Sequence, residues 1–280
     1  MTARNITIKR RWSHIVLPSG MILTIPPDDN LAQVTVSDEV DPYATSATQQ
    51  FPLGTKLEYG PEVYRYALEG GVGVEIGALC QSVVPLAGHI NEVCGSSAVG
   101  ATTLDFTPKV VTTDNLAENE LAQGYVYIYD STGEGAKYRI KSHPAIVGAV
   151  SGTLTLYDPI RIATSGLLAT VIHNKFRKFI IHPSPPTATP CGWTVTAVTA
   201  DYYCWLQTKG PLCSLIDSGG SAVVMGQPCV PSAEDDGAVQ IFDPDVATEP
   251  NAGVVGWIME IGADAGGAAA TYGFVDASLE

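Results

Sequence analysis

The sequence predicts an all-β protein: two β-sandwich or barrel-like domains behind an extended N-terminal arm, with little helix. Three observations predict it. Only 16% of the 280 residues are charged, too few for long exposed helices. The 28 glycines and 19 prolines punctuate the chain at short intervals. Between them lie brief runs rich in Val, Thr, Ile and Tyr, at the spacing of about eight to twelve residues that marks sandwiches and barrels.

Residues 1–50 hold the β-like pieces ITIKR, MILTI and AQVTV, separated by Pro, Gly and Asp. They read as an extended arm with room for a hairpin of its own. From Phe51 the strands become denser (TKLEY, VYRYAL, ALCQSVV, TTLDF, YVYIY), giving a β-rich domain over 51–183. The helical candidate is TTDNLAENELAQG, with Thr113 or Asp114 as its cap and Gly124 as its stop. Pro183, Pro185, Pro186 and Pro190 make a stiff connector, and 184–280 reads as a C-terminal β-barrel-like domain. In the alternative division, 51–94 pairs with 190–280 and 95–183 is an insertion.

Tyr125 to Pro144, YVYIYDSTGEGAKYRIKSHP, reads as a hairpin. Tyr125, Tyr127 and Tyr129 share one strand face with Val126 and Ile128 on the other, and past the loop Tyr138 and Ile140 oppose Lys137, Arg139 and Lys141. The DSTG run, Asp130 to Gly133, is then a turn. A second pattern is an internal echo: VEIGALC at Val74 and VVMGQPC at Val223 share Val-x-apolar-Gly-x-x-Cys. It is consistent with a strand, a glycine turn and a second strand built twice, although seven residues alone carry little weight.

The net charge of -14 argues against nucleic acid as a main partner, since phosphate binding needs a basic footprint. Its distribution says more. Arg4, Lys9, Arg10 and Arg11 lie in an N-terminal stretch free of acids, while nothing after Lys209 is basic. A basic arm thus precedes an acidic body, suiting an arm that docks on an acidic surface; a merely solvated terminus is the alternative. No apolar run approaches the length of a membrane span, and HIVLPSGMILTIPP, broken by Pro18, Gly20, Pro26 and Pro27, lacks the cleavage pattern of a signal peptide, so synthesis in a cytoplasm is expected.

Chemistry-bearing patterns are sparse. LIDSGG around Asp217 resembles half of an aspartic-protease centre, but Asp130 in IYDSTG is one residue out of pattern for the other half. Neither a nucleophile elbow nor a phosphate-binding loop occurs. His14, His89, His143, His173 and His182 match no helix-based metal pair. Asp235, Asp236, Asp243, Asp245 and Glu249 lack the order of a calcium loop and read as a solvated turn cluster. The six cysteines form no Cys-x-x-Cys and are expected to be free and buried. No catalytic residue, metal or cofactor is assigned.

The blocks LEYGPEVYRYALEGGVGVEIGALCQ, GYVYIYDSTGEGAKYRIKSHP, YYCWLQTKGPLCSLID, GQPCVPS and GVVGWIMEIGADAGGAAATYGFV resemble segments of tailed-bacteriophage virion proteins of the head-decoration, or capsid-cement, kind. The resemblance lies in texture and order and covers about half the chain. It implies a non-enzymatic protein bound in many copies, often as homotrimers, to the exterior of an icosahedral capsid, with the major capsid protein and copies of itself as partners. It further implies that Gly253 to Val275 closes a small barrel for which Tyr64 to Gln81 supplies partner strands. Arg4, Lys9, Arg10, Arg11 and Trp12 are the candidate capsid-docking residues of the arm. A tail or fibre component of the virion is the alternative, and a β-rich hydrolase using Asp130 and Asp217 is the remote one.

Overall fold

The structure, a computed structural model, describes residues 4–6, 12–31, 33–109, 114–130, 132–165, 167–217, 223–242, 253–262 and 271–280. It is almost entirely β. In chain order the strands are β1 (Arg4–Ile6), β2 (Ser13–Val16), β3 (Ile22–Ile25), β4 (Val34–Val36), β5 (Lys56–Tyr59), β6 (Glu62–Glu69) and β7 (Leu79–Gln81). After a 3-10 turn at Ala87–His89 come β8 (Glu92–Cys94), β9 (Thr103–Phe106), β10 (Tyr125–Ile128), β11 (Lys137–Ser142), β12 (Gly152–Leu156) and β13 (Leu167–Ile172). The chain then forms β14 (Arg177–Ile181), β15 (Pro190–Thr194), β16 (Tyr203–Ile216), β17 (Pro228–Pro231), β18 (Val239–Ile241), β19 (Gly256–Glu260) and β20 (Thr271–Ser278).

Contacts divide the chain into two units. The first comprises Met1–Pro27, Leu31–Val83 and Lys175–Glu280; the second comprises Asp28–Asn30 and Val84–Asn174. The boundaries therefore fall at Val83/Val84 and Asn174/Lys175, where the primary reading of the sequence put one between 183 and 184. The Pro-rich stretch joins β14 to β15 inside the first unit. Gln81 holds it, its Oε1 accepting from the Ala188 amide at 3.0 Å and its Nε2 donating to Thr187 Oγ1 at 2.7 Å.

The second unit is a closed barrel in the order β10-β11-β12-β9-β8-β13. Its interior is the alternate residue of each strand: Val126, Ile128, Tyr138, Ile140, Leu104, Phe106, Leu154, Leu156, Ala169 and Val171. The hairpin expected from YVYIYDSTGEGAKYRIK is β10–β11, with Tyr125 opposite Arg139 and Tyr127 opposite Lys137. The expected helix over 112–124 does not form, although Thr113 lies outside the described residues. Asn119 and Gln123 take φ of 59° and 68°, and the amides of Leu116, Asn119 and Gln123 donate to the carbonyls of Ile146, His143 and Ile140. Pairing to β11 and the segment after it has captured the groups a helix would need. Gly124 serves close approach instead, because a Cβ there would collide with the Ile172 carbonyl.

The first unit contains one large sheet, β18-β17-β19-β20-β16-β15-β7-β14-β6-β5-β3-β2, with added pairings β18–β16 and β16–β6. Those two pairings close two circuits of five strands, β6-β16-β15-β7-β14 and β16-β20-β19-β17-β18, which share β16. Each circuit is antiparallel except at one joint, β14–β6 in the first and β16–β18 in the second. Taken in chain order, β6, β7, β14, β15 and β16 occupy the places of β16, β17, β18, β19 and β20. This is one topology used twice.

Register confirms the correspondence residue by residue. Cys80 lies opposite Ile181 and Gly192, and Cys229 lies opposite Ile241 and Gly256. Leu79 faces Trp193 as Pro228 faces Trp257. The glycines of the two echoed segments, Gly77 and Gly226, have φ of 74° and 83° and donate to Thr194 at 2.8 Å and Ile258 at 2.7 Å, the residues that follow those tryptophans. The echo is therefore the entry turn of a duplicated five-strand unit. The second unit of the chain interrupts the first copy between β7 and β14.

The closing role of Gly253 to Val275 holds in part. Its strands β19 and β20 complete a circuit with β16, β17 and β18, whereas Tyr64 to Gln81 contributes β6 and β7 to the other circuit. Nor are residues 12–50 an arm. Leu17, Met21, Leu23, Ile25, Val34, Val36 and Val40 are buried with Phe51, Leu53, Leu57, Tyr64, Tyr66 and Trp205. The alternation in MILTI and AQVTV gives each strand one apolar face, and that face is covered.

Candidate functional site

The docking residues expected at the N-terminus are only partly in view. Lys9, Arg10 and Arg11 lie outside the described residues, and Arg4 is placed by its backbone alone, opposite Val36 in the β1–β4 pair. Trp12 is 57% exposed. It precedes β2, an edge of the large sheet on which His14 and Val16 also face outward. Edge strands of this kind carry unpaired backbone groups able to extend onto a neighbouring chain. Beside it, Ile15, Val16, Leu17 and Pro18 with Val36, Ser37 and Asp38 line a cavity of about 20 Å³, room for roughly one water and far short of a small-molecule site.

The acids singled out by LIDSGG and DSTG belong to different units, and local contacts account for the buried one. Asp130 is exposed in the β10–β11 loop. Asp217 directly follows β16, its amide donating to Val239 O at 2.8 Å and its Oδ2 accepting from Ser232 Oγ at 2.6 Å. That hydroxyl also accepts the amides of Glu234 and Asp235, at 3.0 and 2.9 Å. A second buried acid ends the opening strand of the first circuit. Leu68 lies opposite Tyr203 as Leu215 lies opposite Tyr272, so Ile216 takes the place of Glu69 and Asp217 stands one residue beyond it. Glu69 is fully buried and accepts the amides of Gly71, Val72, Gly73 and Asp201 at 2.7 to 3.1 Å. Both acids clamp a turn.

Other titratable groups were scattered in sequence, and the fold brings some together. In the second unit His89 and His173 have ring centroids 6.3 Å apart, His89 Nε2 is 3.0 Å from Asp114 O, and His173 Nε2 is 3.6 Å from Glu120 Oε1. Among the described residues no group of three or more His, Cys, Asp or Glu is arranged to hold a metal ion. Of the acidic segment, Asp236 accepts the Ser184 amide at 2.8 Å, and Asp243, Asp245 and Glu249 lie outside the described residues. All six thiols are free, five of them buried and Cys213 exposed. Burial pushes Cys191 and Cys229 up to about 12 and raises Cys80 and Cys204 well above the ordinary thiol, so all four are poor nucleophiles.

Sequence reasoning missed the surface that stands out most. On the outer face of β16, β19 and β20, Trp257, Met259, Tyr272 and Phe274 are 40 to 49% exposed. Cys213 faces Phe274 and Leu215 faces Tyr272 across the sheet, while Trp257 faces the exposed Asp276, so the large apolar side chains share this face with acids. A register shift between Ile258 and Glu260 turns both Met259 and Glu260 outward at Phe274. The alternation in GWIME and TYGFVDAS was the available signal, since it places an aromatic on the face opposite the Ile258 and Val275 core.

Compared with family models, with curated proteins and with solved structures, the chain matches none of them.

Proposed function

We propose that the protein is a non-enzymatic virion component that binds the outside of a tailed-phage head and stabilises it. The observation that carries the reading is the broad aromatic surface on β16, β19 and β20, built on a duplicated β scaffold whose candidate acid Asp217 is committed to a turn. Large apolar side chains left exposed together on one sheet face suit adhesion to a partner surface. A protein that binds the assembled shell and not its separated pieces stabilises it by mass action, and many copies multiply a weak contact. The basic residues Arg4, Lys9, Arg10 and Arg11, with Trp12, supply the complementary contact to an acidic capsid face. The virion exterior is then its place of action, and the major capsid protein its partner.

The test is co-sedimentation with purified shells. Truncating residues 1–30 is unsuitable, because it removes β2 and β3 and with them the fully buried Leu23 and Ile25. Lys9→Glu, Arg10→Glu and Arg11→Glu together leave those strands in place. The combined variant is expected to lose shell binding with an unchanged melting temperature. Undiminished binding would remove the arm from the docking surface, and labelling found on tails in electron micrographs of particles would move the protein off the head.

A further inference from the structure

The two circuits differ in the chemistry of one interior position. Where β7 meets β15, Gly192 lies opposite Cys80 and Pro190 opposite Gln81, so β15 carries one residue, Cys191, that β7 does not match. A bulge of this kind sets two residues of one strand against one of the other. Cys80 and Cys191 are both fully buried and share a core with Ala67, Phe179, Cys204 and Leu206, whereas their neighbours Leu79 and Trp193 belong to a different one. The two thiols therefore face into one core from adjacent strands. Burial raises the Cys80 thiol, and the nearby Cys191 raises it further.

The second circuit keeps this backbone and changes the side chain. Cys229 takes the place of Cys80, opposite Gly256, and the residue before that glycine is the buried Val255, whose amide donates to Cys229 O at 2.9 Å. Cys191-Gly192-Trp193 thus corresponds to Val255-Gly256-Trp257. A valine fills the position, so packing there does not require a thiol. Cys204, the third thiol of the first core, is paired with Ala67 of β6 and lies beyond the β15–β16 ladder, which reaches Thr194 and Leu206.

We infer that Cys80 and Cys191 are a site of reversible disulfide formation, a bond from β7 to β15 for which the second circuit lacks one of the thiols. Opposed residues of an antiparallel pair stand about 4.5–5.5 Å apart at Cα, within the roughly 4.4–6.8 Å that a disulfide bridges. The co-reactant is a small-molecule disulfide such as oxidised glutathione. One cysteine thiolate attacks it and releases one glutathione; the other thiolate then attacks the protein-bound sulfur and releases the second. Two protein thiols are oxidised, the small disulfide gains their two electrons, and the two protons end on the released glutathione thiols. Because both cysteines are fully buried, exchange requires β7 and β15 to part, and the closed bond is shielded from reductants. It encloses the inserted stretch Val84–Asn174, a long loop whose closure restricts the unfolded chain. The inference does not depend on the proposed function.

Refolding the reduced full chain from urea in glutathione buffers of increasing oxidised fraction gives both thiols access to the oxidant. The product is alkylated and mapped by mass spectrometry without reduction. A peptide pair joining Cys80 to Cys191, two hydrogens lighter than its separate parts, is expected, in a protein that melts several degrees above its reduced form. Cys191→Val, the side chain the second circuit already uses, should melt like the reduced wild type and give no linked pair, while Cys204→Ala should leave the link in place. The wild-type map decides by itself, whether or not either variant folds. Six alkylated cysteines at every glutathione ratio overturn the inference, as does a bond from Cys204 to either partner in place of this one.

Discussion

The guanidinium of Arg65 grips the Glu280 carboxylate with two nitrogens, Nε at 2.6 Å from Oε1 and Nη2 at 2.7 Å from Oε2. The contact fixes Glu280, two residues past the end of β20, to the middle of β6, a strand of the first circuit, and Arg65 Nη1 also donates to Gly54 O at 3.0 Å. One side chain therefore ties together sequence positions that the two circuits keep on separate strands.

Glu280→Gln keeps one acceptor but loses the charge. Both partners retain about a quarter of their exposure, so the cost is expected to be about 1 kcal/mol in urea unfolding at neutral pH. Burial raises the Glu280 carboxyl, but the Arg65 hydrogen bond and charge, helped by Lys56, outweigh it and hold the group below 4.5. A depressed acid contributes its stability above its unfolded value and loses it as pH falls through the folded one. The difference between wild type and Glu280→Gln should thus be full at pH 7 and shrink progressively below 4.5.

His182 works in the opposite direction. Burial lowers its pKa below 6.5, against a smaller upward pull from the Pro183 carbonyl and Asp236. Between the folded value and 6.5 the unfolded chain binds more protons, so stability is complete above that value and falls as the solution is acidified. Melting temperatures measured from pH 7.5 to 5, spanning the ordinary histidine value, should decline in the wild type and flatten in His182→Gln. Parallel declines in both would relocate the effect to another group.

How far the sequence carried these conclusions depends on the range of the signal. Period-two alternation is local, and it gave the β10–β11 hairpin with its faces correct from Tyr125 to Lys141. The echo at Gly77 and Gly226 located a real repeat, because both turns need a positive φ. What failed was non-local. Pro183 to Pro190 suggested a domain boundary, yet the connector is held by Gln81 from another strand. The true boundaries beside Val83 and Asn174 show no shift in composition, because strands on both sides of the insertion bury the same kinds of residue. The face around Trp257 escaped notice since its twin, Trp193, is buried, and an aromatic in a strand reads as core in either case.

The thiols offer a chemical test of the same burial. Cys213 is exposed, though nearby packing and Glu260 raise it, and the other five are buried. A maleimide should therefore label one cysteine slowly in the native protein and six after denaturation. Peptide mapping of the native product should find Cys213. Labelling of Cys80 or Cys191 at a similar rate would mean that the first circuit opens readily.

The two entry glycines separate backbone strain from crowding. Gly77 and Gly226 share a left-handed backbone, which costs an alanine about 1–3 kcal/mol at either position. Only at Gly77 does the new methyl meet anything, with Tyr272 Cε1 at 2.9 Å and the Cys213 carbonyl at 3.1 Å. One of those neighbours is main chain and cannot rotate away. Gly226→Ala should accordingly cost the strain alone, while Gly77→Ala adds to it the displacement of the Tyr272 ring and of the β16 backbone at Cys213, an extra loss on the order of 1–3 kcal/mol. Chemical denaturation of the two variants measures the gap. Equal losses would mean that the turn before β7 is no more covered than its twin, and the contrast between the two faces of the repeat would disappear with it.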